Sequence, residues 1–76
     1  MKKYYIEIVN VEMGEYVIQT KWFETEEEAI NFMKENFDFI DRGTYAIDLM
    51  SAVVDEEGVY GDIKLERRLY HITKYL

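Results

Sequence analysis

Hydrophobic and polar positions alternate along the first part of the chain. Tyr4, Ile6 and Ile8 fall on one face of residues 2–12, and Tyr5, Glu7, Val9 and Val11 on the other. Residues 15–24 repeat the pattern, with Tyr16, Ile18 and Trp22 opposite Val17, Gln19, Lys21 and Phe23. A period of two is what a half-buried strand requires, because successive side chains point to opposite sides. Between the two runs, Glu12-Met13-Gly14-Glu15 sets a glycine where a tight turn needs positive φ. The segment is expected to form a β-hairpin.

The period then changes. Thr25-Glu26-Glu27-Glu28 has the form of a capping box: Thr25 accepts from the Glu28 amide while the Glu28 carboxylate reaches back to the Thr25 amide. Three glutamates in a first turn also complement the positive end of the helix dipole. At ~100° per residue, Ala29, Ile30, Phe32, Met33, Phe37 and Ile40 fall in one arc of roughly 160°. Glu27, Asn31, Lys34, Glu35 and Asp38 take the opposite side. A helix is expected over residues 25–38, with Phe39 past its end and Asp41-Arg42-Gly43 as the following turn.

Residues 44–54 return to alternation, with Tyr45, Ile47, Leu49, Ser51 and Val53 against Ala46, Asp48, Met50, Ala52 and Val54. Asp55-Glu56-Glu57-Gly58 and Gly61-Asp62 mark a connecting loop over 55–62. In the tail, Leu65, Leu69, Ile72 and Leu76 keep helical spacing, yet Leu69-Tyr70-His71-Ile72-Thr73 is rich in strand formers. A strand with a bulge near Arg67-Arg68 is favoured there, and a terminal helix is the alternative. The fold class is α+β: a ββαββ chain forming a four-stranded antiparallel sheet with one helix packed on one face. A right-handed crossover that skips the first strand gives the spatial order 2-1-3-4. The other face is left open, and part of the aromatic set must lie on it.

Residues 1–76 make a single domain, small enough that folding buries only roughly 60% of the unfolded surface and association is an option. The chain is 49% hydrophobic, which separates it from disordered acidic sequences. It has no cysteine, which removes disulfides, thiolate metal sites and cysteine nucleophiles. No apolar run is long enough to span a membrane, and Met1-Lys2-Lys3 leads into Tyr4-Tyr5-Ile6-Glu7 instead of a signal-peptide core. A cytoplasmic protein is expected. The net charge of −7 is unevenly spread. Residues 4–62 carry net −12, while Lys2 and Lys3 supply +2 and residues 63–76 supply +3. So acidic a surface repels phosphate backbones and anionic lipids, and it suits basic protein partners.

Material for catalysis is thin. His71 is the only histidine and Ser51 the only serine, in separate strand patterns with no reason to meet. No pair among the many carboxylates is marked out as lying in a cleft, so the chain is expected not to be an enzyme. Loop 55–62 has the composition of a calcium loop, but its acids are consecutive and its first glycine is fourth, unlike an EF-hand. No metal and no cofactor are expected. Tyr4, Tyr5, Tyr16, Trp22, Tyr45, Tyr60, Tyr70 and Tyr75 are aromatics of the kind that stack single-stranded bases, but such sheets are framed by Lys and Arg. Direct nucleic-acid binding is therefore not expected. Tyr and Trp also anchor protein interfaces, where acidic surroundings are no obstacle.

Two acidic groups stand out: Glu24 with Glu26, Glu27 and Glu28, and Asp55, Glu56 and Glu57 with Asp62. With Trp22 and Tyr60 as aromatic anchors, they form the candidate partner-binding set. In size, acidity and layout the chain resembles the small inhibitor proteins of bacteriophages and other mobile elements, the loose class that includes anti-CRISPR proteins and DNA mimics. That resemblance implies a non-enzymatic module that occludes a basic nucleic-acid-binding host protein, with carboxylates standing where phosphates would lie. Arg67 and Arg68 depart from a uniformly acidic mimic, and pairing with the protein's own acids is one account of them. The alternative is a small homodimeric structural or interaction protein whose acidity only gives solubility.

Overall fold

A computed structural model of the chain describes residues 1–36 and 43–74. The elements are β1 (Lys2–Asn10), β2 (Glu15–Gln19), α1 (Glu26–Asn36), β3 (Gly43–Val53) and β4 (Lys64–Lys74). Phe37, Asp38, Phe39, Ile40, Asp41 and Arg42, and at the other end Tyr75 and Leu76, lie outside the described residues, as do the expectations placed on them.

The β1–β2 hairpin closes through a side chain as well as a glycine. The Asn10 side-chain oxygen accepts from the Glu12 and Met13 amides at 3.1 and 3.3 Å, while the Gly14 amide donates to the Asn10 carbonyl at 2.8 Å. This Asx geometry ends β1 at Asn10, two residues before the alternation does. Gly14 has φ 69°, the left-handed region that glycine enters without steric cost.

β2 is shorter than the alternating run. It ends at Gln19, and the Thr20 amide and hydroxyl oxygen both bind the Ile6 backbone, donating to its carbonyl and accepting from its amide. The next bridge joins Phe23 to Tyr4. Lys21 and Trp22 therefore lie where β1 offers Tyr5 alone, and the extra residue breaks the alternation. Phe23 turns toward the helix, its ring 5.4 Å from that of Phe32, and Trp22 lies on the opposite face against Tyr5.

Thr25 caps α1: its hydroxyl oxygen accepts from the Glu28 amide at 3.1 Å, the forward half of the expected box. Ala29 and Met33 are buried, and Ile30 and Phe32 pack against the same cluster. That cluster joins the helix to Ile6 and Ile8 of β1 and to Tyr45, Ile47 and Leu49 of β3, paired Ile6 with Leu49 and Ile8 with Ile47. Burial of Ile6, Ile8 and Leu49 contributes roughly 1.5–3 kcal/mol each.

Neighbouring strands run antiparallel in the order β2-β1-β3-β4. The expectation of a four-stranded sheet packed beneath the helix is nevertheless corrected. The helix packs on β1 and β3, so the compact α+β unit is three antiparallel strands, β1, β2 and β3, with α1. β4 extends along the outer side of β3, beyond the helix, and among its described side chains Leu69 is the one that packs against the core. One 11-residue helix is too narrow to cover the added strand. Two bulges shape β4. Arg68 pairs with Asp48 while Tyr70 pairs with Ile47, and Arg67 pairs with Leu49 while Leu65 pairs with Met50, leaving Leu69 and Glu66 as the extra residues. They bracket Arg67 and Arg68, the pair at which the sequence loses its alternation.

Candidate functional site

The sheet face away from the helix divides into an aromatic half and a charged half. In the aromatic half, Tyr5 of β1 meets Trp22 edge-on, with ring centroids 4.7 Å apart. Trp22 in turn meets Tyr60 at 4.6 Å. Tyr5 is the floor, only 4% exposed, and it is the β1 neighbour of Met50, which pairs with Leu65. Ile63 closes a notch with Tyr5, Gln19, Thr20 and Trp22. Ile63 and Leu65 are each 53% exposed, so the half ends in an apolar rim open to solvent.

The loop after β3 sets Tyr60 in place. The Asp55 carboxylate accepts from the Glu57 and Val59 amides, both at 2.9 Å, and the Gly58 amide donates to the Asp55 carbonyl at 3.1 Å. Gly58 has φ 82°, so the turn needs a glycine there. Beyond it, Tyr60 bridges Val54 and the Gly61 amide donates to the Val53 carbonyl at 2.8 Å. A side chain at position 61 would bring its Cβ to 3.3 Å from that carbonyl oxygen. The loop is thus a closed tight turn that exposes Glu56 and Glu57 and lays Tyr60 on Trp22.

In the charged half, Glu7 of β1 and Asp48 of β3 stand directly opposite each other, and both are 6% exposed. Like charges so placed repel. Arg68 relieves this by donating to both Asp48 oxygens, at 2.8 and 3.3 Å, and the hydrogen bond to Asp48 holds its guanidinium above the ordinary arginine value. The Tyr5 hydroxyl donates to Glu7 at 2.8 Å, joining the two halves.

The two acidic groups are not equivalent. Glu24 lies 3.0 Å from Lys3, whose ammonium is held above its usual range by that hydrogen bond, and Glu26 lies 3.2 Å from Arg67. Glu27 and Glu28 are exposed on the first turn of α1, on the helix side of the sheet. Around the loop, Asp55 is committed to its own turn. Glu56, Glu57 and Asp62 are exposed, and among the described residues no ion pair involves them. The structure therefore joins Trp22 and Tyr60 to the loop that carries Glu56, Glu57 and Asp62, with Lys3 and its partner Glu24 beside that loop, and it leaves Glu26, Glu27 and Glu28 on the helix. Arg67 and Arg68 both pair with the protein's own acids, Glu26 and Asp48. Tyr5, Met50, Ile63 and Leu65 were not singled out as site residues, although Ile63 and Leu65 alternate with Lys64 and Glu66, a signal that could have found them.

Ser51 and His71 stay apart. Ser51 is buried on the helix side and donates to Glu66 at 2.6 Å, while His71 is exposed and pairs with Ala46. The two register positions, Ser51 and Ala46, are five steps apart along β3, roughly 17 Å at strand spacing. Among the described residues, no three acidic or histidine side chains lie close enough to hold a metal ion, and no helix is long and apolar enough to cross a membrane. Comparison with family models, with curated proteins and with solved structures finds no match.

Proposed function

We propose that the chain is a non-enzymatic binding module that occludes a basic, nucleic-acid-binding surface on another protein, in the manner of a phage-type inhibitor. The observation that supports this reading best is the joining of Glu56, Glu57 and Asp62, free of ion pairs among the described residues, to the exposed apolar rim around Trp22 and Tyr60. Charge brings a basic partner in quickly, and a desolvated aromatic and aliphatic centre holds it. The loop carboxylates are the group that fills the phosphate positions, because they adjoin Trp22 and Tyr60, whereas Glu24 and Glu26 are matched by Lys3 and Arg67 and the unpaired Glu27 and Glu28 lie on the helix side.

The test is capture from a bacterial lysate on the tagged full chain, with and without nuclease, followed by competition with DNA and RNA. A basic nucleic-acid-binding protein held in one-to-one ratio and released by nucleic acid is the expected result. A partner that binds nucleic acid and this chain together would overturn occlusion.

A further inference from the structure

The notch lined by Tyr5, Gln19, Thr20, Trp22 and Ile63 has Asp62 next to its rim residue Ile63, and we infer that it receives an arginine side chain from a basic partner segment. This inference rests on the reading of a basic partner given above. Over the buried Tyr5 floor, the half-buried Trp22 supplies aromatic surface, to which a guanidinium is attracted by stacking and by the ring quadrupole. Ile63, 53% exposed on the opposite rim, offers apolar surface to the alkyl stem. The exposed Gln19 supplies an amide oxygen, an acceptor for a planar donor fork. Asp62 directly precedes Ile63, and with Glu56 and Glu57 it gives the approach a negative potential. A second copy of the chain fits this surface poorly. In a two-fold contact the three acids of each copy would face the same patch on the other, and the only cation adjoining Ile63 in the chain is Lys64.

Trp22 is the single tryptophan, so its emission reports on the notch directly. The full chain is titrated with an arginine-rich peptide in a Gly-Ser background, its lysine counterpart and its glutamate counterpart, by fluorescence and by calorimetry. The arginine peptide is expected to bind saturably and shift the Trp22 emission, with the lysine peptide about threefold or more weaker. The glutamate peptide is expected not to bind. Ile63→Ser, at an exposed position, should weaken the arginine peptide severalfold with the unfolding midpoint unchanged. Equal affinity for arginine and lysine, binding that leaves Trp22 silent, or full affinity in Ile63→Ser would overturn the notch. If binding is then still lost in Glu56→Gln/Glu57→Gln/Asp62→Asn, the basic-partner reading survives it. If no basic peptide binds even at low salt, both fall together.

Discussion

At the scale of single residues, a few side chains decide how the backbone runs. Thr25 accepts from the Glu28 amide, and no other hydroxyl is placed to do so, so Thr25→Ala should cost about 1 kcal/mol in chemical denaturation. Met33 lies in the buried cluster, and Met33→Ala should cost about 2–5 kcal/mol by the same measurement. The threonine cap and the Gly14 turn are legible in the sequence because their chemistry is local. Asn10 lies inside the alternating run, which hides its role as a turn residue although its side chain has that capacity. Asp48 was legible only as one position in an alternating strand. Its role comes from Arg68, 20 residues away, and from Glu7 across the sheet, neither of which local spacing discloses. Arg68→Met should therefore lower the unfolding midpoint, because it leaves two buried carboxylates face to face. Asp48→Asn in that background should recover part of the loss, and no recovery would show that the guanidinium acts through packing alone.

At the scale of elements, β4 is where sequence and structure part. Its strand character and a bulge at Arg67 and Arg68 follow from composition and broken alternation. Its place outside the helix-covered core does not, because that depends on how wide a layer one short helix can cover. Likewise the alternation sets Trp22 on an unbroken strand, and a single extra residue opposite Tyr5 carries it to the other face. β4 is tied to β1 and β3 through Glu66, which accepts from Ser51 and pairs with Lys2. The Lys2 hydrogen bond, then that of Ser51, holds the Glu66 carboxyl below its ordinary value. A carboxyl lowered in the folded state contributes its stability in full above the unfolded value and loses it as pH falls through the folded one. Glu66→Gln should thus lower the urea midpoint near neutral pH, and the gap to the parent protein should close below the ordinary glutamate range. A gap that stays constant through acid would show that the charge of Glu66 contributes nothing.

At the scale of the whole molecule, ion pairs match part of the acid on each face. On the helix side Arg67 pairs with Glu26, and on the other side Lys3 pairs with Glu24 and Arg68 with Asp48. Among the described residues, Glu56, Glu57 and Asp62 of loop 55–62 have no ion pair and lie next to the apolar rim, while Glu27 and Glu28 have none on the helix side. Sequence counting located the acids but could not say which were already matched, since each pairing joins elements far apart in the chain. The outer edge of β4 carries two bulges and several cations, devices that blunt edge-to-edge pairing. Light scattering over a concentration series should accordingly give the 9.2 kDa monomer, and a dimer mass would assign the open face to self-association.

The central claim, that the loop carboxylates beside Trp22 and Tyr60 hold a basic protein, is tested most directly by one comparison. The affinity of the captured partner is measured for the parent chain, for Glu56→Gln/Glu57→Gln/Asp62→Asn and for Glu27→Gln/Glu28→Gln, at about 0.1 M salt and again near 1 M, where the screening length falls from roughly 10 Å to 3 Å. The account predicts that the loop variant loses most of its affinity and most of its salt dependence, while the helix variant stays close to the parent. Parent-like affinity and salt response in the loop variant would contradict it.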